Sequence, residues 1–320
     1  MTAPAPGRSI DKQADDDGQF RRQEAVFRQK SIAPEDAEKG RYIIYANYLC
    51  PWAGRTLITR SLKRLEDYID VSILDYELGE NGWFWSGRDG TDEVDPVNGF
   101  KYIKEVYHSV DPNYSARFTI PVLYDKKLKT IVNNESSEII RILNTFPRAA
   151  DAATDNIPDL YPEHLRGEID NINEPVYNNV NNRVYRAGFA TKQAAYDEHV
   201  TALFEMLEQL EELLSGAKQG TQPRKYLCGQ GKGQFTEADL RLYMTLARFD
   251  MAYYGIFRCN IKRIKDYPHL HRYFVNLYNK QEFKKWTNFY HIKAGYAGAS
   301  RRANDQEVIV PAGPSVDDVL

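Results

Sequence analysis

The chain has 320 residues, a net charge of −3 and three cysteines. That length suits two domains, the near-balanced charge gives no electrostatic reason to expect a nucleic-acid partner, and the sparse cysteines Cys50, Cys228 and Cys259 make no readable disulfide framework, which fits a reducing compartment. No apolar run approaches the ~20 residues of a membrane span. The start lacks an apolar signal core, and Asp15, Asp16 and Asp17 argue against a transit peptide, so a cytoplasmic protein with no membrane partner is expected.

Residues 1–40 read as an arm and lead-in. Met1 to about Gly18 is polar and rich in Pro and Ala, hence a disordered arm. Gln19 to Lys30 places Phe20, Val26 and Phe27 among basic residues and reads as an extended or partly helical lead-in. Residues 41–146 read as an α/β domain. Arg41–Ala46 predicts a strand, and Pro51–Leu65, with Leu57, Ile58, Leu62 and Leu65 at helical spacing, predicts a helix. Between them stands Cys50-Pro51-Trp52-Ala53. Proline suits a first helical turn, so Cys50 falls at the start of the helix, where free N–H groups and the positive end of the dipole favour thiolate. Ala53 occupies the second cysteine position of a C-x-x-C motif, so a mixed disulfide on Cys50 must be resolved by an external thiol. The alternative is a buried structural cysteine.

Ile69–Leu74 alternates as a second strand, parallel to the first across a βαβ unit. Asp75–Gly99 is a long polar insertion carrying Trp83, Phe84 and Trp85, which are expected to cover a site or another domain. A short helix over Phe100–His108, a strand over Thr119–Tyr124 that starts beside Pro121, and a strand at Thr130-Ile131-Val132 follow. Ser136 or a neighbour opens a helix with Ile139, Ile140 and Leu143 on its apolar face. These polar residues either cap that helix or hold a carboxylate there.

Residues 147–162, rich in Ala, Asp and Pro, read as a linker. Residues 163–290 read as all-α, with helical segments about Leu165–Tyr177, Lys192–Leu214, Glu237–Ala252, Ile264–Tyr267 and Leu270–Leu277. Thr236-Glu237-Ala238-Asp239 is a capping-box start. Residues 291–320 read as a loop-like tail. Gly229–Gly233 lacks the rest of a phosphate loop and reads as a turn. The six histidines show no H-x-x-x-H spacing, so no metal is expected.

Four stretches together resemble the glutathione transferases, and within them the Xi class of glutathionyl-hydroquinone reductases. They are Tyr48–Ala53, Asp111–Leu123, Ile131–Ile139 and Val184–Ala190, and the similarity covers roughly Asp17 to Pro314. The resemblance implies a thioredoxin-like N-terminal domain followed by an all-helical C-terminal domain. It implies that glutathione is co-substrate, aromatic glutathione adducts are substrates and the assembly is a homodimer. Cys50 matches the nucleophile. Pro121 matches a cis-proline whose neighbour Val122 pairs its backbone with glutathione. Glu135 and Ser136 match the residues at the γ-glutamyl end, Trp83 and Arg117 match residues near glutathione, and Tyr185 and Tyr296 match tyrosines lining the quinol pocket. The chain departs from the family pattern at Tyr124, at Arg183 and in the tail around Tyr296. The implied activity is reduction of glutathionyl-hydroquinones. An omega-like thioltransferase or dehydroascorbate reductase, and a non-enzymatic ligand-binding protein, are the alternatives.

Overall fold

Tyr42–Ala46 (β1) is buried along its whole length, as a strand with both faces covered requires. A computed structural model describes residues 18–21, 23–148, 157–218, 220, 222–299 and 307–320. Two compact units share them. One takes residues 23–158 less the undescribed ones, and the other takes residues 18–21 and those from Asp159 on. The expected arm over residues 1–17, and residues 149–156 of the expected linker, lie outside the described residues.

In the first unit β1 leads into Pro51–Leu62 (α1) and then Ile69–Ile73 (β2). The helix ends three residues before the predicted Leu65, because Arg64 takes a left-handed φ of +51°. Leu65 is still buried, from the turn. After Ile103–Val110 (α2), Val122–Asp125 (β3) and Thr130–Asn133 (β4), Ser136–Asn144 (α3) packs beside α1. The sheet order is β2-β1-β3-β4, with β1–β2 parallel and the other two pairs antiparallel. The free edge of β4 is covered by the lead-in: Gln29 N–H donates to Val132 O, and Asn134 N–H donates to Phe27 O. The remainder of the lead-in, Gly18 to Arg21, belongs to the other unit, where Phe20 packs on Tyr185 and Phe189.

Within the insertion over Asp75–Gly99, Trp85 departs from the expectation that the aromatics cover a site or another domain. Trp85 is fully buried in its own unit. Its Nε1 donates to Ser72 Oγ at 2.8 Å, and its ring meets that of Tyr45 edge-on. Asp75 receives Arg88 in a two-pronged ion pair at 2.6 Å, and Asp95 accepts the Tyr45 hydroxyl at 2.7 Å. These pairs, each made by a buried aspartate, pin the insertion against the sheet.

The second unit is helical: Arg166–Val176 (α4), Arg183–Gly188 (α5), Gln193–Ser215 (α6), Glu237–Arg248 (α7), Pro268–Tyr278 (α8), Gln281–Lys285 (α9), Phe289–Ala299 (α10) and Val316–Val319 (α11). α6 ends at Gly216, whose φ of +73° suits a residue without Cβ. α7 starts on the predicted capping box, with Ala238 N–H donating to Thr236 Oγ1 and Thr236 N–H donating to Asp239 Oδ2. π-helical turns follow α4, over Tyr177–Asn181, and α7, over Phe249–Tyr253. The start of the tail is not the predicted loop, since α10 is buried on nearly all sides; residues 307–315 have no regular structure, as expected, and Lys293 Nζ donates to Ala312 O and Pro314 O there.

Candidate active site

Cys50 stands at the N-cap of α1 with extended backbone, and Pro51 follows at the first helical position. Its N–H donates to Asn47 Oδ1 at 2.8 Å, and Asn47 Nδ2 donates to Asp75 O at 2.9 Å, so a buried asparagine sets the turn that presents the sulfur. Cys50 Sγ lies 3.7 Å from Ile120 O, which brings the sulfur beside the start of β3. The Ile120–Pro121 bond is cis, as the resemblance implied. Val122 pairs with Tyr45 on β1, while the register with β4 reaches only Leu123–Asn133, so β4 leaves the sheet before it reaches Val122.

Glu135 and Ser136 begin α3. Glu135 Oε1 accepts Ser137 N–H at 2.9 Å and Ser137 Oγ–H at 2.8 Å, which makes Glu135 the cap of that helix. Burial works against the charge on Glu135. The nearby Arg55 guanidinium and the Ser137 donors outweigh it, and the carboxyl is held below the usual range. Sequence reasoning missed Arg55. This arginine of α1 is buried, donates to Ser136 Oγ from Nε at 3.1 Å and from Nη2 at 2.6 Å, and lies 3.6 Å from Glu135 Oε1. The Trp52 ring sits 5.1 Å below its guanidinium. The signal in the sequence was an arginine inside the apolar stretch of a helix, five residues after the cysteine.

The starts of α1, β3 and α3 thus bring Cys50, Val122, Glu135 and Ser136 into one unit, with Arg55 joining α1 to Glu135 and Ser136. Trp83 is half-buried, with its carbonyl accepting Ile103 N–H, and its side chain makes no hydrogen bond or ring contact among the described residues. Arg117 is exposed; its N–H donates to Gln23 Oε1, and its carbonyl accepts the Tyr114 hydroxyl. Cys228 and Cys259 are fully covered. Burial pushes the Cys228 thiol up to about 12, helped by Asp239, and pushes that of Cys259 up as well. Cys50 keeps 9% of its surface.

In the second unit Tyr185 of α5 meets Tyr296 of α10. Their hydroxyls are 2.6 Å apart, and Tyr253, which the sequence reading did not single out, joins them at 2.8 Å from Tyr296 and 3.3 Å from Tyr185. Phe20, Phe189 and Phe257 enclose the three rings. Phe257 fits because Gly188 has no Cβ; one placed there would stand 2.4 Å from its ring. Arg183, where the chain departs from the family pattern, is held by His199 Nδ1 and Asn179 Oδ1, both at 2.8 Å. Among the described residues no group of His, Cys, Asp and Glu is arranged to hold a metal ion.

The model of the glutathione S-transferase N-terminal domain matches residues 49–145, and that of the C-terminal domain matches residues 193–275. A glutathionyl-hydroquinone reductase of Sphingobium chlorophenolicum is 46% identical over 93% of this chain and 90% of its own length. The crystal structure of the Xi glutathione S-transferase of Phanerochaete chrysosporium, 46% identical, superposes with a TM-score of 0.86 over 96% of each chain. The chain belongs to the Xi class of the glutathione transferases. The Xi enzyme of Saccharomyces cerevisiae, solved in complex with glutathione, is 37% identical with a TM-score of 0.82 over 92% of this chain and 99% of its own. In this Xi-class chain the thioredoxin-like unit carries Cys50, and the helical unit carries the three tyrosines.

Proposed function

We propose that this Xi-class transferase reduces glutathionyl-hydroquinones, using Cys50 as nucleophile and glutathione as co-substrate. The observation that carries the reading is the placement of Cys50: it stands at a helix start, beside the Ile120–Pro121 peptide, with Glu135 and Ser136 in the same unit. The relative from Sphingobium chlorophenolicum supports the choice of acceptor.

In the first step the Cys50 thiolate attacks the sulfur of the adduct. A Cys50–glutathione disulfide forms as the carbon–sulfur bond breaks, and the electron pair leaves on the ring carbon, which takes a proton and departs as hydroquinone. In the second step the thiolate of another glutathione attacks the glutathione sulfur of that disulfide. Oxidised glutathione leaves, and the Cys50 thiolate is restored. Val122 offers its backbone to the glutathione peptide, and the Glu135 carboxylate attracts the γ-glutamyl ammonium. Trp83 and Arg117 are assigned to the glutathione side as further ligand residues. Tyr185 and Tyr296 are assigned to the aromatic fragment, one of them as the source of the ring proton. The proposed assembly is a homodimer and the proposed compartment the cytoplasm. Among the described residues no helix is long and apolar enough to cross a membrane.

The test is turnover with a glutathionyl-hydroquinone, set against a mixed disulfide of glutathione and hydroxyethyl thiol. Preference for the hydroquinone adduct, abolished in Cys50→Ser, is expected. Turnover of the mixed disulfide alone would move the protein to the thioltransferases, and turnover that survives Cys50→Ser would remove the mechanism.

A further inference from the structure

We propose that Arg55 is a positioning residue for a ligand carboxylate. It occupies both lone pairs of the Ser136 hydroxyl, so the single hydroxyl hydrogen is left for an anionic acceptor. The proposal rests on the reading of Glu135 and Ser136 as the γ-glutamyl end of the glutathione site. Its basis is the hydrogen-bonding capacity of the two groups. A guanidinium only donates, whereas a serine hydroxyl has one hydrogen and two lone pairs. Arg55 Nε and Nη2 both reach Ser136 Oγ, at 3.1 and 2.6 Å. The oxygen is then saturated as an acceptor, and no described residue receives its hydrogen. A donor group brought to Ser136 meets a filled oxygen, while a carboxylate oxygen meets an aimed O–H at the start of a helix, beside a positive charge.

The fork shape matters. Two donors at fixed spacing fill two lone pairs; the ammonium of a lysine is a point charge on a flexible stem. Trp52 below the guanidinium and the Glu135 carboxylate at 3.6 Å hold the fork in place. Arg55 also belongs to the helix that begins at Cys50. Its grip on Ser136 therefore registers the sulfur-bearing end of α1 against the carboxylate-binding end of α3.

The experiment measures glutathione affinity by calorimetry for wild type, Arg55→Met, Arg55→Lys, Ser136→Ala and the double variant Arg55→Met/Ser136→Ala. A glutathione analogue lacking the γ-glutamyl α-carboxylate is titrated in parallel, and thermal unfolding is followed for each protein. Arg55→Met and Ser136→Ala are expected to weaken glutathione about ten- to a hundred-fold each, the range of one hydrogen bond to a charged group. The double variant should lose no more than the worse single one, because both changes remove the same bond. Arg55→Lys, which keeps the buried charge and hence the fold, should fall between wild type and Arg55→Met. The analogue should bind wild type and the variants alike. Additive losses in the double variant, or an equal loss of the analogue in Arg55→Met, would make Arg55 a framework residue. Full affinity in Arg55→Met and Arg55→Lys with loss in Ser136→Ala overturns the role of Arg55 and leaves the γ-glutamyl assignment standing. Wild type that fails to bind glutathione removes both.

Discussion

The hydroxyls of Tyr185 and Tyr296 lie 2.6 Å apart although 111 residues separate them in the chain. With Tyr253 they form a closed triangle of phenols inside a shell of phenylalanine rings. Burial pushes the phenols of Tyr253 and Tyr296 well above their ordinary range, and Tyr185 adds to both shifts against the opposing charge of Arg248. They stay protonated through neutral pH, and a phenol that keeps its proton is one that can donate a hydrogen bond.

Removing one hydroxyl breaks two sides of this triangle. Tyr185→Phe, Tyr253→Phe and Tyr296→Phe are each expected to cost roughly 1–2 kcal/mol of stability, at about 1 kcal/mol per neutral bond, read as a lowered midpoint in urea unfolding. Turnover separates them: kcat/KM with a glutathionyl-hydroquinone should fall about two- to ten-fold in Tyr185→Phe and Tyr296→Phe, the scale of one neutral bond to the quinol. A larger loss marks the proton donor. Unchanged turnover in both makes the tyrosines packing residues.

The resemblance put Tyr185 and Tyr296 at one pocket, but the helix that carries Tyr296 was hidden in the sequence. Ala294-Gly295-Tyr296-Ala297-Gly298-Ala299 has no polar–apolar contrast at helical spacing, so it reads as loop. In the fold, small residues line a helix covered on nearly all sides, where an amphipathic pattern has no purpose. Arg55 was hidden for a related reason. An arginine in a helix normally sits in water, and only the fold shows that this one is buried against Ser136. Cys50 was legible because Pro51 and the apolar run before it fix strand, turn and helix start locally, without any distant partner. The start of α3 was legible in the same way, from its cluster of polar residues ahead of Ile139 and Ile140.

The cysteines differ enough in cover to predict which one reacts. Cys228 and Cys259 have no exposed surface and raised thiols, whereas Cys50 keeps 9% of its surface. Incubation with oxidised glutathione should add one glutathione to the native protein, and peptide mass spectrometry should place it on Cys50. An adduct on Cys228 or Cys259 without unfolding would contradict the assignment of the nucleophile. Cys50→Ala should take up none and still bind glutathione.

Asp239 gives a pH-dependent prediction for the helical unit. Its carboxylate accepts Leu227 N–H at 2.9 Å, Thr236 N–H at 2.9 Å and the Tyr273 hydroxyl at 3.0 Å, all in the interior. Asp239→Ala strands three buried donors and should cost on the order of 3–5 kcal/mol. Burial also pushes the carboxyl up to about 6, even though these donated bonds pull it down. A carboxyl whose folded pKa lies above its unfolded value stabilises the fold below the unfolded value, and that contribution is lost as pH rises through the folded one. The window therefore runs from about 4, the unfolded value, to about 6. The stability gap between wild type and Asp239→Asn, which cannot ionise, should be largest at the acid end and shrink towards pH 7. A gap that widens with rising pH would mean that the donated bonds outweigh the burial.

Glu135 separates capping from ligand binding. Both Ser137 donors converge on Oε1, and among the described residues no group donates to Oε2, which leaves that oxygen for a ligand cation. Glu135→Gln preserves a carbonyl oxygen for the Ser137 pair and removes the charge. The cap of α3 should therefore survive, with unfolding midpoints close to wild type. Glutathione affinity should drop about ten- to a hundred-fold, as expected for losing a hydrogen bond between charged partners. The control is a glutathione analogue without the γ-glutamyl amine. Wild type should bind it as weakly as Glu135→Gln does, and the substitution should change its affinity little. The pH profile adds a second reading. The Glu135 carboxyl is held below the usual range, so wild-type affinity should stay level from pH 8 down to about 5, above the ordinary range for a glutamate. If glutathione binds Glu135→Gln as tightly as wild type, Glu135 is a helix cap and nothing more, and the ammonium is held elsewhere.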